Sequence, residues 1–219
     1  MPASLSRGVI WDMDGVILDS ADQHWQAWRA LAAETGATFT EADFRKTFGT
    51  RNADIIPRYW HVRGATEIAQ LADRKEVLYR DLLRADARAL PGAMNLLQAL
   101  HTAGWHQALG SSAPMENIRL ILELLDLRTL LDAVVSGEDT PQGKPAPDIF
   151  LAAARAIGLA PVNCVVIEDA VAGVQAARAG GMRCVAVTNG HPNRELNSAD
   201  LVVPALTQLT VEKIAALIV

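Results

Sequence analysis

Two acidic pairs stand at the ends of apolar runs in this sequence. Asp12 and Asp14 close GVIWDMD and are followed by Gly15, while Glu168 and Asp169 close VVIED. Alternation along an extended chain puts Asp12 and Asp14 on one side, where two carboxylates repel unless a proton or cation intervenes. A second pair delivered in the same way compounds the problem, because clustered buried anions need compensation. A hard cation with oxygen ligands supplies it. Magnesium fits best, since it takes a few carboxylates, keeps waters and accepts a substrate phosphate. No histidine and cysteine cluster competes for zinc. Ser111 and Ser112 follow HQALG; there a hydroxyl beside backbone N–H groups can hold a phosphoryl oxygen, or can cap a helix beginning near Met115. Lys144 lies in GKPAPDIF, where two prolines fix the loop and either aim the ammonium inward or leave it in solvent. Pro145 after Gly143-Lys144 excludes a nucleotide-binding P-loop, which needs Ser or Thr at that position. By itself the DxDG turn is equally explained by the preference of acidic residues for turns.

These groups need a scaffold that brings distant strand ends together. Apolar runs of strand length recur at 8–14, 105–112, 132–139, 163–170 and 183–190, each ending in a polar or glycine turn. Apolar residues in succession, rather than in alternation, predict strands buried on both faces of a parallel sheet. Helical patterns lie between them at Met94–Ala103, Met115–Leu125, Pro147–Ile157 and Val171–Ala179, the last stopped by Gly180-Gly181. The alternation predicts an α/β fold with a Rossmann-like, doubly wound parallel sheet, whose ligands bind beyond the carboxyl ends of the strands.

The stretch 19–91 breaks this rhythm. It shows helical periodicity through Trp25, Trp28, Leu31 and Ala32, then Phe44 and Phe48, then Ile68 to Leu83, with no comparable strand run. We therefore expect a core of residues 1–18 and 92–219 and a helical domain of residues 19–91, with Pro91-Gly92 as the returning hinge.

Composition narrows the partners. The 219 residues are 50% hydrophobic and 21% charged, and 20 basic against 25 acidic side chains give a net charge of -5 without long runs of either sign. Nothing advertises a nucleic-acid or membrane surface, so a small-molecule partner is expected. The opening MPASLSRGVIWDMDGV lacks a signal-peptide pattern, and the expectation is a cytoplasmic monomer. Cys164 and Cys184 sit in apolar runs and read as buried free thiols.

Taken together, DMDGV, GSS, GKPAPD and IEDAVAGVQAARAGG, in this order, resemble the four motifs of the haloacid dehalogenase superfamily. The resemblance covers nearly the whole chain, and the helical insertion after the first motif is similar to the caps of its β-phosphoglucomutase-like phosphatases and mutases. It implies that Asp12 forms an aspartyl-phosphate and Asp14 is the general acid and base. Ser111 and Lys144 would hold the phosphoryl group. Asp169, with Glu168 beside it, would place magnesium together with Asp12 and the backbone carbonyl of Asp14. Proximity to Asp12 is expected to raise the pKa of Asp14 toward its task.

The same resemblance turns the cap toward substrate through His24, Trp28, Gly49, Arg51 and Lys75, and so implies a phosphorylated sugar, with Ser112 in the neighbouring loop. His24 and Trp28, four apart, share a helix face, and Arg51 in FGTRNAD suits a bidentate grip on an anion. Read alone, Arg51 is more often a solvated surface residue, and Trp28 with His24 beside it can be cap core; Trp25 is expected in the cap core. The mutases carry a serine and a lysine where this chain has Ala113-Pro114, so hydrolysis of a sugar phosphate is expected over phosphosugar mutation. Dehalogenation needs neither Asp14 nor the Glu168-Asp169 pair. A phosphoacceptor signalling domain would be shorter, with no helical insertion.

Overall fold

The computed structural model describes residues 6–189 and 194–218. Residues 1–5, 190–193 and 219, which belong to the expected core segments, lie outside the described residues. The GVIW run makes β1 (Gly8–Trp11), buried at every position. With β2 (His106–Ser111), β3 (Ala133–Ser136), β4 (Cys164–Glu168), β5 (Arg183–Val187) and β6 (Leu201–Val203) it forms one sheet in the order β3-β2-β1-β4-β5-β6. Every pairing is parallel. The sixth strand was not expected, because three residues at a sheet edge are too short to show a period.

Strand alternation explains why the runs are continuously apolar. Val9, Trp11, Leu109, Val165 and Ile167 enter one core, with Leu96 and Leu97 of α5 (Ala93–Thr102) and Ile118 and Ile121 of α6 (Met115–Leu124). Ile10, Ala108, Val166 and Cys184 enter the other, with Ile149 and Phe150 of α7 (Asp148–Ala156) and Val174 and Ala177 of α8 (Val171–Ala179). Both faces are covered, so a polar residue in a strand needs partners. Gln107 has them: it accepts from Trp11 Nε1 and donates to the Leu97 and Leu130 carbonyls, each at 3.0 Å. Chain order reverses about β1, which lies between β2 and β4, so a crevice opens beyond its carboxyl end.

Over that crevice lies an all-helical insertion of α1 (Ala21–Thr35), α2 (Glu41–Thr47), α3 (Asn52–Tyr59) and α4 (Ala65–Ala85). Gly36 ends α1 in the left-handed region that a side chain disfavours, and a Thr40–Asp43 capping box starts α2. The insertion has its own apolar cluster around Trp28, Leu31, Phe39, Phe44 and Ile56, against which Trp25 packs. Its two connections run side by side, with Asp19 N donating to Arg88 O at 2.9 Å and Leu90 N to Ile17 O at 2.8 Å. At the return, Gly92 has φ +91°, and a Cβ there would stand 2.8 Å from the Thr207 backbone nitrogen.

Candidate active site

Asp12 and Asp14 lie just past β1 but face different partners. The Asp12 carboxylate accepts from Lys144 Nζ at 2.5 Å, and the same ammonium bonds Glu168 Oε1 at 2.6 Å. Lys144 is therefore buried, not a solvated loop residue, and it reaches across 132 positions of sequence to Asp12. One oxygen from each of Asp12, Glu168 and Asp169 lies within 4.8 Å of the others. Burial, opposed by Lys144 and reinforced by Glu168, pushes Asp12 up to about 7. Burial, then Glu168 and Asp12, also push Asp169 far above the carboxylate range. One ammonium thus serves three carboxylates, and this all-oxygen donor set fits a hard divalent cation.

Local sequence makes room for the cluster. Gly15 has φ +79°, and a Cβ there would overlap Asp169 Oδ2 at 2.0 Å; in α8, a Cβ on Gly173 would meet Glu168 Oε1 at 1.7 Å. Glu168 Oε2 accepts from the backbone nitrogens of Asp169 at 2.8 Å and Ala170 at 2.7 Å, so the start of α8 orients it.

Asp14 turns toward the helical insertion. Its Oδ1 accepts from Ser20 Oγ at 2.6 Å and Tyr79 OH at 2.9 Å, and meets His24 Nε2 at 3.2 Å. Burial raises its pKa, but His24, Ser20 and Tyr79 outweigh burial and bring it down to about 2. This corrects the expected rise: Ser20 and His24, 6 and 10 positions along the chain, and Tyr79, 65 positions along, hold the ionised form against burial. Burial and then Lys75 depress His24, so its neutral ring donates Nε2–H to Asp14 and accepts at Nδ1 a hydrogen bond from Lys75 Nζ, 2.8 Å away.

Ser111 is buried at the end of β2, and its Oγ accepts from Ala113 N at 3.2 Å, a local turn. The alternative of a serine cap on α6 is not what the chain adopts. Met115 N instead donates to Glu138 Oε2 at 2.9 Å, from the loop after β3.

Asp12, Asp14, Ser111 and Ser112 line a cavity of about 310 Å³ whose other wall includes His24, Trp28, Gly49, Arg51 and Lys75. The substrate-facing residues expected from sequence are therefore brought together, but three are already engaged: His24 by Asp14 and Lys75, and then Lys75 and Arg51 themselves. Lys75 Nζ bonds Glu76 Oε1 at 3.0 Å and lies 4.7 Å from the Tyr79 ring centroid. Arg51 Nη2 donates to the Thr140 hydroxyl at 2.8 Å and carbonyl at 3.2 Å. Gly49, at φ +82°, brings its loop against Ala170. Sequence reasoning missed Ser20, Tyr79, Glu76, Asn117 and Asn189, the last donating to the Gly15 carbonyl at 2.7 Å. For Tyr79 a faint signal exists, its place one turn beyond Lys75 on α4.

A doubly wound sheet with this carboxylate cluster at its chain reversal, roofed by an all-helical insertion, defines a Rossmann-like α/β protein with an inserted cap fold. A family model for haloacid dehalogenase-like hydrolases matches residues 7–181, and the chain belongs to that family. It is 32% identical over 207 residues to hexitol phosphatase A of Escherichia coli, covering 94% of each chain. It is 31% identical over 208 residues to the chloroplastic 5-amino-6-(5-phospho-D-ribitylamino)uracil phosphatase of Arabidopsis thaliana, covering 93% of this chain but 56% of that one. A second plant relative is longer still, and the chain spans 17% of it. Among solved structures, a β-phosphoglucomutase from Clostridium difficile superposes with a TM-score of 0.87 at 29% identity, covering 97% of both chains.

Proposed function

We propose that the protein is a magnesium-dependent phosphatase of a small phosphorylated metabolite, a sugar phosphate, working through an aspartyl-phosphate on Asp12. The observation that carries this reading is Asp12 itself, bonded to Lys144 inside the three-carboxylate cluster and open to the cavity beneath the helical insertion. Asp12, Asp169 and the backbone carbonyl of Asp14 would hold the cation, with Glu168 beside them. When bound, magnesium supplies positive charge against the carboxylates and the phosphoryl oxygens.

An oxygen of ionised Asp12 attacks phosphorus; Asp14, ionised in the free protein, first takes up the proton that a monoanionic phosphate ester brings and then passes it to the departing ester oxygen. Water then attacks the aspartyl-phosphate, Asp14 takes its proton, and inorganic phosphate departs. Splitting the transfer into two steps lowers the largest barrier. Ser20, His24 and Tyr79 converge on Oδ1 of Asp14, which leaves Oδ2 as the atom to exchange a proton with substrate or water. Lys144 and the Ser111 hydroxyl hold the phosphoryl oxygens, the main source of catalysis in such transfers. His24, Trp28, Gly49, Arg51, Lys75 and Ser112 form the substrate wall, and residues 19–91 act as the cap of a cytoplasmic monomer. Among the described residues no helix is long and apolar enough to cross a membrane.

A phosphosugar mutase is the second reading, favoured by the likeness to β-phosphoglucomutase. Ala113-Pro114, which offers neither hydroxyl nor charge beside Ser112, favours hydrolysis. The test is a panel of sugar and hexitol monophosphates with magnesium and with excess chelator, including β-glucose 1-phosphate with a trace of its 1,6-bisphosphate. Free phosphate should appear with magnesium and stop on chelation. Many turnovers of glucose 6-phosphate with background free phosphate would make the mutase reading the right one.

A further inference from the structure

Glu76 takes no part in the reaction above, yet it is 5% exposed and lines the same cavity. Its Oε1 accepts from Asn52 Nδ2 at 2.6 Å and Lys75 Nζ at 3.0 Å, and its Oε2 from Asn117 Nδ2 at 2.5 Å. Asn117 Oδ1 in turn accepts from Arg80 Nη1 at 2.9 Å. The carboxylate is thus held from α3, α4 and α6, and swinging it away would leave buried donors unpaired. Burial pushes its pKa up, but Lys75, then His24 and the amides of Asn52 and Asn117, prevail and lower it, so it is ionised.

This fixed charge changes what the cavity offers a ligand. Lys75 has three N–H donors; one goes to Glu76, a second to His24 Nδ1, and its positive charge is already answered. Arg51 places three of its five N–H donors on the neutral oxygens of Thr140 and Pro141, which leaves one N–H of Nη1 and the buried, unpartnered Nε. Beyond the two aspartates, the lining sets Asp73, Glu76 and Glu138 against Lys75 and Arg51. A second phosphate dianion entering here meets three carboxylates against two cations, one of which, Lys75, is already bonded to Glu76. A hydroxyl, by contrast, can donate to Glu76 and accept the remaining proton of Lys75.

We propose that Glu76 is a specificity-determining residue, which admits the uncharged, hydroxylated remote end of a monophosphate and rejects a bisphosphate. The proposal rests on the phosphatase reading and adds to it a chemical class of substrate. Selectivity of this kind comes from a repulsive element as much as from new contacts.

The experiment uses matched pairs, fructose 1-phosphate against fructose 1,6-bisphosphate and glucose 6-phosphate against glucose 1,6-bisphosphate, with kcat/KM measured from phosphate release in saturating magnesium. The native protein should favour the monophosphates by at least about tenfold. Glu76→Gln, which keeps the size and removes the charge, should narrow that ratio by about tenfold, mainly through a lower KM for the bisphosphate. Glu76→Ala is the second variant, and thermal melting verifies that each is folded. Comparable turnover of both members of each pair by the native protein would overturn the inference whatever the variants do. An unchanged ratio in a folded variant would overturn it too, and both results leave the phosphatase reading standing. If no monophosphate and no activated aryl phosphate releases phosphate, the phosphatase reading fails, and the inference with it.

Discussion

In the proposed reaction Asp12 would be both a metal ligand and a nucleophile, and its protonation ties the two together. Its pKa is pushed from 3.8 to about 7 by burial before a cation arrives. A carboxyl raised on folding stabilises the fold below its unfolded pKa, and that contribution is lost as pH rises through the folded value. The metal-free protein should therefore melt at progressively lower temperature between pH 5 and pH 8. Asp169, raised for the same reasons, acts in the same direction. Magnesium should stabilise more at pH 8 than at pH 5, because it binds the ionised cluster. Asp12→Asn should flatten the metal-free profile, keep the fold and lower turnover by at least about a thousandfold, since an amide cannot attack phosphorus. Melting curves across pH, with and without magnesium, measure the first two effects, and phosphate release measures the third. A native profile rising from pH 5 to pH 8 would contradict the assignment.

Among the elements, α8 contributes by what it lacks. Glu168 closes β4 and folds back over the first turn of α8, where Gly173 leaves space that a methyl group would fill. Gly173→Ala must displace a carboxylate that Lys144 and two backbone N–H groups hold in place. We expect the magnesium concentration for half-maximal activity to rise about tenfold or more, and stability to fall by about 2–3 kcal/mol. Gly64→Ala is the control: its φ is -73° and its Cβ would come no nearer than 3.9 Å to Glu67, so stability should change by less than about 0.5 kcal/mol. Magnesium titration and denaturant unfolding of both variants decide the matter.

Taken as a whole, the molecule closes its cavity by laying helices over strand ends, and polar contacts cross between them at Arg51 with Thr140, Glu76 with Asn117, and Asp14 with Tyr79. Arg51→Met keeps the apolar stem and removes the donors that clasp the loop after β3. KM for a sugar monophosphate should rise about tenfold with a smaller change in kcat, since the lost clasp to Thr140, a charge-assisted hydrogen bond of about 1.5–3 kcal/mol, is what holds this side of the cavity together. Steady-state kinetics on the panel substrates test it; a fall in kcat at constant KM would place Arg51 in the chemical step instead.

Five of the six strands, the helices between them and the residues at the strand ends were legible in the sequence because the signals are local. A strand covered on both faces reads as an unbroken apolar run, and an acid at its end stands out against that run, as Asp12 and Glu168 do. The helical character of 19–91 was legible for the same reason, through periodicity. Tertiary structure alone decided the rest. Tyr79 lies 65 positions from Asp14, and Asn117 lies 41 from Glu76; neither pairing has a period or motif to announce it. The direction of the Asp14 pKa depended on which donors the helical insertion delivered. Lys75 and Arg51 were recognisable as cations facing a cavity, but how many of their donors were free for substrate depended on Glu76 and Thr140. Hydrogen bonds across a folded interface are set by the packing of whole elements, and packing sums many weak contacts between residues far apart in the chain.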